Sequence, residues 1–306
     1  MTEGGEPAPL LLLRWAARHL GAQGIATPRL DAEVLLADVL GVDRLSFLTN
    51  PHQAISTEQV ARFEALVDRR ASREPVAYLT GSREFWGLDL AVTPAVLIPR
   101  PDSETVVSAA LEWAPRRDRL RVADLGAGSG CLLLALLSEW PHATGLGTDI
   151  SAEALNVARG NADALGLGDR ASWVHADWLP SERPPSSADR FDVIVANPPY
   201  VSWTDTAALV SDVRDHEPSL ALFSDDDGLA AYRQISRRLP AWLAPGGIAV
   251  LELGQGQAGA VGGLMAAAGL RIRAVEPDLA QIDRALVCQR PEDIVGGDGE
   301  NRWQRR

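Results

Sequence analysis

Phe191-Asp192-Val193-Ile194-Val195-Ala196-Asn197-Pro198-Pro199-Tyr200 is the stretch from which the fold can be read. Residues 191–196 form a short, largely apolar, β-branched run, the pattern of a parallel strand buried on both faces. Asn-Pro-Pro-Tyr follows at its C-terminal end. Two successive prolines cannot extend a ladder, because neither has an N–H to donate. Pro198 also pushes Asn197 away from the α region. The expected result is a rigid corner presenting a side-chain amide, a bare carbonyl and an aromatic ring. It stands where open α/β sheets bind ligands, at the carboxyl end of a strand.

Outward from this stretch, the chain from Arg121 alternates strand and helix. Strands are expected at 121–125, 143–149, 171–175, 191–196, 248–253, 271–276 and 284–289. The helices between them are expected at 131–137, 151–165, 228–243 and 257–269. This repeat predicts a doubly wound, seven-stranded parallel α/β sheet with helices on both faces. Residues 180–190 read as a Ser/Pro-rich loop.

Before the sheet, residues 9–72 read as a small helical bundle. Residues 10–20 have helical periodicity. Thr27-Pro28 reads as an N-cap with proline at the first helical position, and Gly41 as the stop. Ser56 with Gln59 has the capping-box spacing. Residues 75–101 alternate around turn residues and suggest a β-hairpin linker. The expected domains are therefore 1–74, helical; 75–101, linker; and 102–290, catalytic. A Gly-rich, charged tail at 291–306 is expected to be disordered.

Composition narrows the function. The net charge is −12, which opposes non-specific binding to nucleic acid. Every cationic side chain counted with it is Arg. No apolar run is long enough to span a membrane, and no basic leader precedes an apolar segment. Cys131 and Cys288 lack metal-ligand spacing and read as reduced, apolar thiols, as in a cytoplasmic protein. No metal and no membrane association are expected, and the chain is read as a monomer.

Asp124-Leu125-Gly126-Ala127-Gly128-Ser129-Gly130 lies between the first strand of the sheet and a helix. Glycines there let the backbone turn sharply and approach a ligand. The spacing is Gly-x-Gly-x-Gly, so the pyrophosphate fingerprint is not met. An acid ends the second strand, Asp149 followed by Ile150, and Asp177-Trp178 follows the third. Any one of these acids alone is as readily a helix cap or a surface charge. Together they suit a ligand with a ribose and an adenine but no phosphate. Asp149 can accept from ribose hydroxyls, Asp177 from the adenine amino group, and Trp178 can supply a ring face. Asp124, near the glycine turn, can order that turn or receive the ligand's ammonium. S-adenosylmethionine is the cofactor these features fit.

A sulfonium methyl needs a nucleophile held in line. Asn197, beside the cofactor, can accept through its side-chain oxygen, and the Pro198 carbonyl can accept a second bond. Two converging acceptors suit an –NH2 group, and Pro199 and Tyr200 can flank a planar one. An amide or aromatic amine is a poor nucleophile because its lone pair is delocalised. Holding both N–H bonds positions it and stabilises charge developing on nitrogen. Arg100, between two prolines, can clamp either substrate or structure. His175 and His216 are candidate bases only by nearness in sequence.

The chain resembles the release factor glutamine N5-methyltransferases, the PrmC/HemK family, over nearly all of residues 10–290. The resemblance lies in Pro75-Val76-Ala77-Tyr78, Gly81-Ser82-Arg83-Glu84-Phe85-Trp86-Gly87-Leu88, Leu97-Ile98-Pro99-Arg100-Pro101-Asp102-Ser103-Glu104, the glycine turn, Asn197-Pro198-Pro199-Tyr200 and Glu217-Pro218 with Asp227-Gly228-Leu229. It implies methyl transfer to the glutamine of the Gly-Gly-Gln loop of peptide chain release factors. It also implies an N-terminal helical domain that recognises the substrate. The amide-holding role carries over to Asn197 and Pro198, and the cofactor roles to the glycine turn, Asp149 and Asp177-Trp178. The sequence departs from the pattern at residues 220–227, which lack the usual glycines before Asp227-Gly228, and at Gln281-Ile282-Asp283-Arg284, which replaces a stretch that often has a glycine before Asp-Arg. An adenine-N6 methyltransferase of nucleic acid shares the Asn-Pro-Pro-Tyr corner, but −12 opposes it. A cofactor-binding protein without catalysis would not need that corner.

Overall fold

The computed structural model describes residues 8–179, 184 and 186–290. The tail at 291–306 and part of the Ser/Pro loop lie outside the described residues. The chain divides into two units, one comprising Met1–Ser82 with Val210–His216, the other Arg83–Leu209 with Glu217–Arg306. The division falls within the stretch read from sequence as a linker.

In the first unit, helices Ala8–Ala22, Pro28–Leu40 and Thr57–Ala71 bury Leu13, Leu20, Leu35, Leu36, Phe63 and Val67 against one another. Ser56 and Gln59 form the expected capping box. Gly41 closes its helix in the left-handed conformation, with φ 63°. Thr27 differs from expectation: it precedes Pro28 but does not cap, because its hydroxyl donates to Asp31 Oδ1 at 2.7 Å. Asp31 in turn pairs with Arg70 at 2.7 Å, and Arg70 with Asp212 at 2.7 Å. The short helix Ser211–His216 is therefore tied into this unit by a largely buried ion cluster.

Residues 75–81 are not the start of a hairpin. Pro75 opens a short helix, Val76–Thr80, and Gly81 ends it in the left-handed region. The hairpin proper is β1 (Ser82–Phe85) with β2 (Leu88–Ala91). Trp86 and Gly87 both have positive φ, 54° and 72°, the signature of the turn whose twist matches paired strands.

Seven strands form the main sheet: β3 (Arg121–Leu125), β4 (Thr144–Asp149), β5 (Ala171–His175), β6 (Phe191–Ala196), β9 (Leu243–Glu252), β10 (Arg271–Pro277) and β11 (Asp283–Gln289). A separate two-stranded ladder joins β7 (Val201–Ser202) and β8 (Phe223–Ser224). The order across the main sheet is β10-β11-β9-β6-β3-β4-β5. Alternate side chains of β6 enter two cores, Val193 and Val195 on one face, Ile194 and Ala196 on the other. That is why its sequence is a continuous apolar run.

Two expectations need correction. The sheet is not wholly parallel, since β11 runs antiparallel to both neighbours. Only residues 278–282 join β10 to β11, far too few for the crossover that a parallel pair needs. Strand β9 also begins at Leu243 rather than 248 and runs through the Pro-Gly-Gly stretch. Its backbone passes so close to β6 that a Cβ on Gly247 would lie 3.0 Å from the Phe191 and Asp192 carbonyls. The glycine is part of the strand there and not a stop.

Leu125 pairs with both Thr148 and Ala196, Ala196 with Leu251, and Asp149 with His175. The residues that follow these strands therefore share one edge. The strand order turns between β3 and β6, so the glycine turn and the Asn-Pro-Pro-Tyr corner flank the switch point.

Candidate active site

A cavity of about 450 Å³ opens at this edge. Arg100, Asp124, Gly126, Ala127 and Gly128 line it, and so do Asp149, Ile150, Asp177, Trp178, Asn197 and Pro199. Gly130, Pro198 and Tyr200 are not among the lining residues.

The turn at 126–130 folds tightly because its own amides are used. Gly126 and Ala127 donate to the Thr148 carbonyl at 2.8 and 2.9 Å, and Gly130 donates to the Ala127 carbonyl at 2.7 Å. Gly128 donates to Asp149 Oδ2 at 2.9 Å. Amides spent in this way are not available to cradle a phosphate. Gly130 supports the turn from beneath: a Cβ on it would lie 2.8 Å from the Trp173 ring, and one on Gly147 would lie 2.3 Å from it.

Asp149 also accepts from the Ser151 amide at 2.8 Å through Oδ1. Each carboxylate oxygen retains a further lone pair for a ligand hydroxyl. Asp124 is 1% exposed. Its Oδ2 accepts from the Leu133 amide at 3.3 Å, and its Oδ1 has no partner among the described residues. Burial pushes its carboxyl up to about 7; the Leu133 amide opposes this and the Asp149 charge adds to it. A buried acceptor left open beside a cavity is suited to a cationic ligand group.

Trp178 has a positive φ of 67°. The Thr148 hydroxyl donates to its carbonyl, and its indole donates to Gln234 Oε1 at 3.1 Å. Residues held in sparsely populated conformations gather at ligand sites. Asp177 is exposed and its backbone carbonyl accepts from Arg238. Ile150 lines the cavity although 58% exposed, and its carbonyl is hydrogen-bonded by His175 Nε2 at 2.7 Å.

At the corner, Asn197 Nδ2 donates to Ser103 Oγ at 3.2 Å. That leaves Asn197 Oδ1 as the acceptor for a ligand. Pro198 is buried and Pro199 half-buried. The Tyr200 hydroxyl donates to Glu252 Oε1 at 3.4 Å, and its carbonyl accepts from Gln257 Nε2 at 3.1 Å. Burial, ahead of the Glu252 charge, pushes the phenol well above its usual range. Arg100 is ion-paired with Glu217, which also accepts from the Ile98 amide at 3.2 Å. The structural clamp is thus present, and Arg100 still reaches the cavity wall. No histidine lines the cavity, and His216 belongs to the first unit, where it contacts the Ser72 carbonyl.

Residues 12–81 match the PrmC N-terminal domain, and residues 107–213 match the Methyltransferase small domain. The release factor glutamine methyltransferase of Bradyrhizobium diazoefficiens is 42% identical over 279 residues, 90% of this chain and 92% of that protein. That of Caulobacter vibrioides is 41% identical over 280 residues, 90% of this chain and 95% of that protein. The chain belongs to the release factor glutamine methyltransferase family. Among solved structures, the hMettl16 catalytic domain shares the fold at 15% identity, with TM-score 0.52 over 79% of this chain and 85% of that one.

The sequence reading did not single out Ser103 and Gln234, which line the cavity, or Glu252 and Arg284, which do not. Ser103 lies within the Ile-Pro-Arg-Pro-Asp-Ser-Glu run, which was read for its resemblance and not for a role of Ser103. Glu252 had a usable signal, a carboxyl at the carboxyl end of an apolar strand. Gln234 and Arg284 had none. Cys131 and Cys288 are free thiols, both pushed up to about 12 by burial. No helix is long and apolar enough to cross a membrane, and no group of potential metal ligands occurs among the described residues.

Proposed function

We propose that this protein transfers the methyl group of S-adenosylmethionine to the side-chain amide nitrogen of the Gly-Gly-Gln glutamine in peptide chain release factors. The observation that carries this reading is the Asn197 corner. Asn197 lines the cavity with its Nδ2 committed to Ser103, in a chain 42% identical to a release factor glutamine methyltransferase.

The cavity suits the cofactor. Asp124 leaves an open buried oxygen for an ammonium, and the amides of Gly126, Ala127, Gly128 and Gly130 are spent internally and not on a phosphate. Asp149 would hold the ribose hydroxyls, and Asp177 with Trp178 the adenine. S-adenosylmethionine supplies an electrophilic methyl carried on sulfur.

Asn197 Oδ1 accepts one N–H of the substrate amide and the Pro198 carbonyl the other. Pro199 walls the planar group with the Tyr200 ring behind the cavity wall, and Arg100, steadied by Glu217, meets the substrate chain. Fixing the nitrogen removes much of the orientational cost of the reaction, and the two acceptors stabilise the positive charge developing there. The methylated amide nitrogen is then strongly acidic and releases its proton to water, so no general base is required.

The test is to incubate the protein with labelled S-adenosylmethionine and a purified release factor, beside a factor whose Gly-Gly-Gln glutamine is replaced, and to map label by mass spectrometry. Label on that amide, absent from the replaced factor, is the expected result. Label persisting on the replaced factor, or appearing only on added nucleic acid, overturns the proposal.

A further inference from the structure

A side-chain amide is nearly symmetric in shape, yet its two ends are opposite in hydrogen bonding. If the Asn197 amide were reversed, an N–H would face the substrate N–H and the site would repel the group it must hold. The residue that sets the orientation is Ser103. It is 1% exposed and sits at the end of the 3₁₀ turn Pro101–Ser103. Its hydroxyl accepts from Asn197 Nδ2 at 3.2 Å. A hydroxyl can equally donate to an amide oxygen, so Ser103 accepts reliably only when its own proton is committed elsewhere.

Glu252 is the group that can take that proton. It ends β9, is 1% exposed, and lies against Ser103, whose hydroxyl favours the carboxylate form. One carboxyl oxygen accepts from the Tyr200 hydroxyl at 3.4 Å; the other, Oε2, is buried with no hydrogen-bond partner among the described residues and is open to the Ser103 proton. Arg284 is held facing this carboxylate. It donates to Asp278 through Nε and Nη2 at 3.1 and 3.0 Å and to the Leu253 carbonyl at 2.9 Å. The Tyr232 hydroxyl fixes the Glu252 backbone by donating to its carbonyl at 2.7 Å. Buried polar groups in such a chain constrain one another's directions.

We infer that Ser103 and Glu252 are positioning residues that fix the Asn197 amide, Glu252 accepting the Ser103 proton and Ser103 accepting from Asn197 Nδ2, so that Oδ1 faces the substrate amide. This rests on the amide-holding role proposed above for Asn197. It also makes turnover sensitive to the charge on Glu252. Burial raises that carboxyl to about 7, against Ser103, Arg284 and Tyr200, with Asp102 adding to the rise. Tyr232 and Cys131 also face it and stay neutral, their own ionisation pushed up by burial. Arg100 acts on the same cluster through Tyr200. Above the Glu252 pKa the carboxylate only accepts, and the chain has one direction. Below it the carboxyl can donate to Ser103, which frees the Ser103 proton to hold Asn197 Oδ1 and reverses the amide.

The test compares full-length wild type, Ser103→Ala, Glu252→Gln and Asn197→Ala with S-adenosylmethionine and a purified release factor, following kcat across about pH 5.5 to 9. S-adenosylmethionine affinity is measured separately. Ser103→Ala is expected to lower kcat about 10- to 100-fold, with cofactor affinity unchanged within about 3-fold. Wild type is expected to lose kcat as pH falls through about 7, and Glu252→Gln to show a low, flat profile with that acid limb gone. A merely structural role would lower melting temperature without moving the limb. Wild-type kcat in Ser103→Ala, or an acid limb retained in Glu252→Gln, overturns the inference. If Glu252→Gln does not fold, Ser103→Ala decides, since it removes a single oxygen. Full activity in Asn197→Ala would overturn the amide-holding reading itself. Loss there, with the other two variants unaffected, would overturn only the positioning chain.

Discussion

The two sides of the cavity each hold a buried carboxyl pushed to about 7, Asp124 beside the glycine turn and Glu252 behind the Asn197 corner. Burial is the leading cause in both, but what surrounds them differs. Asp124 is met by one backbone amide, keeps its Oδ1 without a partner among the described residues, and lines the cavity. Glu252 faces Tyr200, Ser103 and Arg284 and does not line the cavity. One carboxyl borders the cavity and the other is enclosed by side chains. A raised pKa alone therefore does not identify a group that touches substrate; the partners do.

If the two sides act separately, substitutions should divide cleanly between turnover and cofactor affinity. The largest effect is expected from Asn197→Ala, a loss of kcat of about 10³-fold or more, with S-adenosylmethionine affinity within a few-fold of wild type by equilibrium binding. Collapse of cofactor affinity there would break the division. Asp149→Ala should do the reverse and weaken cofactor binding by about 10- to 100-fold, as expected for losing hydrogen bonds to a charged acceptor. Unchanged affinity would remove Asp149 from the cofactor side.

Asp124→Asn should sharpen the comparison through pH. A carboxyl whose pKa is raised on folding binds protons more tightly when folded. Its contribution to stability is present below its unfolded pKa and is lost as pH rises through the folded value, about 7. At pH 8 the neutral variant without ligand should therefore melt above wild type, by about 2–4 °C for each kcal/mol relieved, and the gain should vanish near pH 4. Thermal denaturation followed by circular dichroism reads this directly, and an equal shift at both pH values would show that burial of charge is not the cause. The smallest effect is expected from Gln281→Gly. Gln281 has φ 63° in the turn that carries Asp278 toward Arg284, so glycine should stabilise the protein by up to about 1 kcal/mol without altering kcat. A lower melting temperature would show that the Gln281 side chain matters beyond its backbone.

Much of the cofactor side was legible in the sequence, because its determinants are local. The glycine turn, Asp149 and Asp177-Trp178 each follow a strand whose period is visible, and β3, β4 and β5 lie side by side in chain order. The capping box at Ser56 was equally legible, since Ser56 and Gln59 are three residues apart. Thr27 was misread because a tertiary partner intervened: Arg70 orders Asp31, and Asp31 takes the Thr27 hydroxyl. Helix Val76–Thr80 was missed because five residues are too few for helical period to outweigh alternation.

The strand-helix alternation, the rigid Asn-Pro-Pro-Tyr corner and the unmet pyrophosphate fingerprint are written in the order of the residues, because periodicity and proline chemistry act over a few bonds. Only the packed molecule sets Asn197 Nδ2 against Ser103, runs β11 antiparallel and places Val210–His216 in the helical unit. Ser103 and Asn197 are 94 residues apart. Nothing local in either segment specifies a hydrogen bond between them; it arises only when the sheet packs and brings the two chain segments to the same edge.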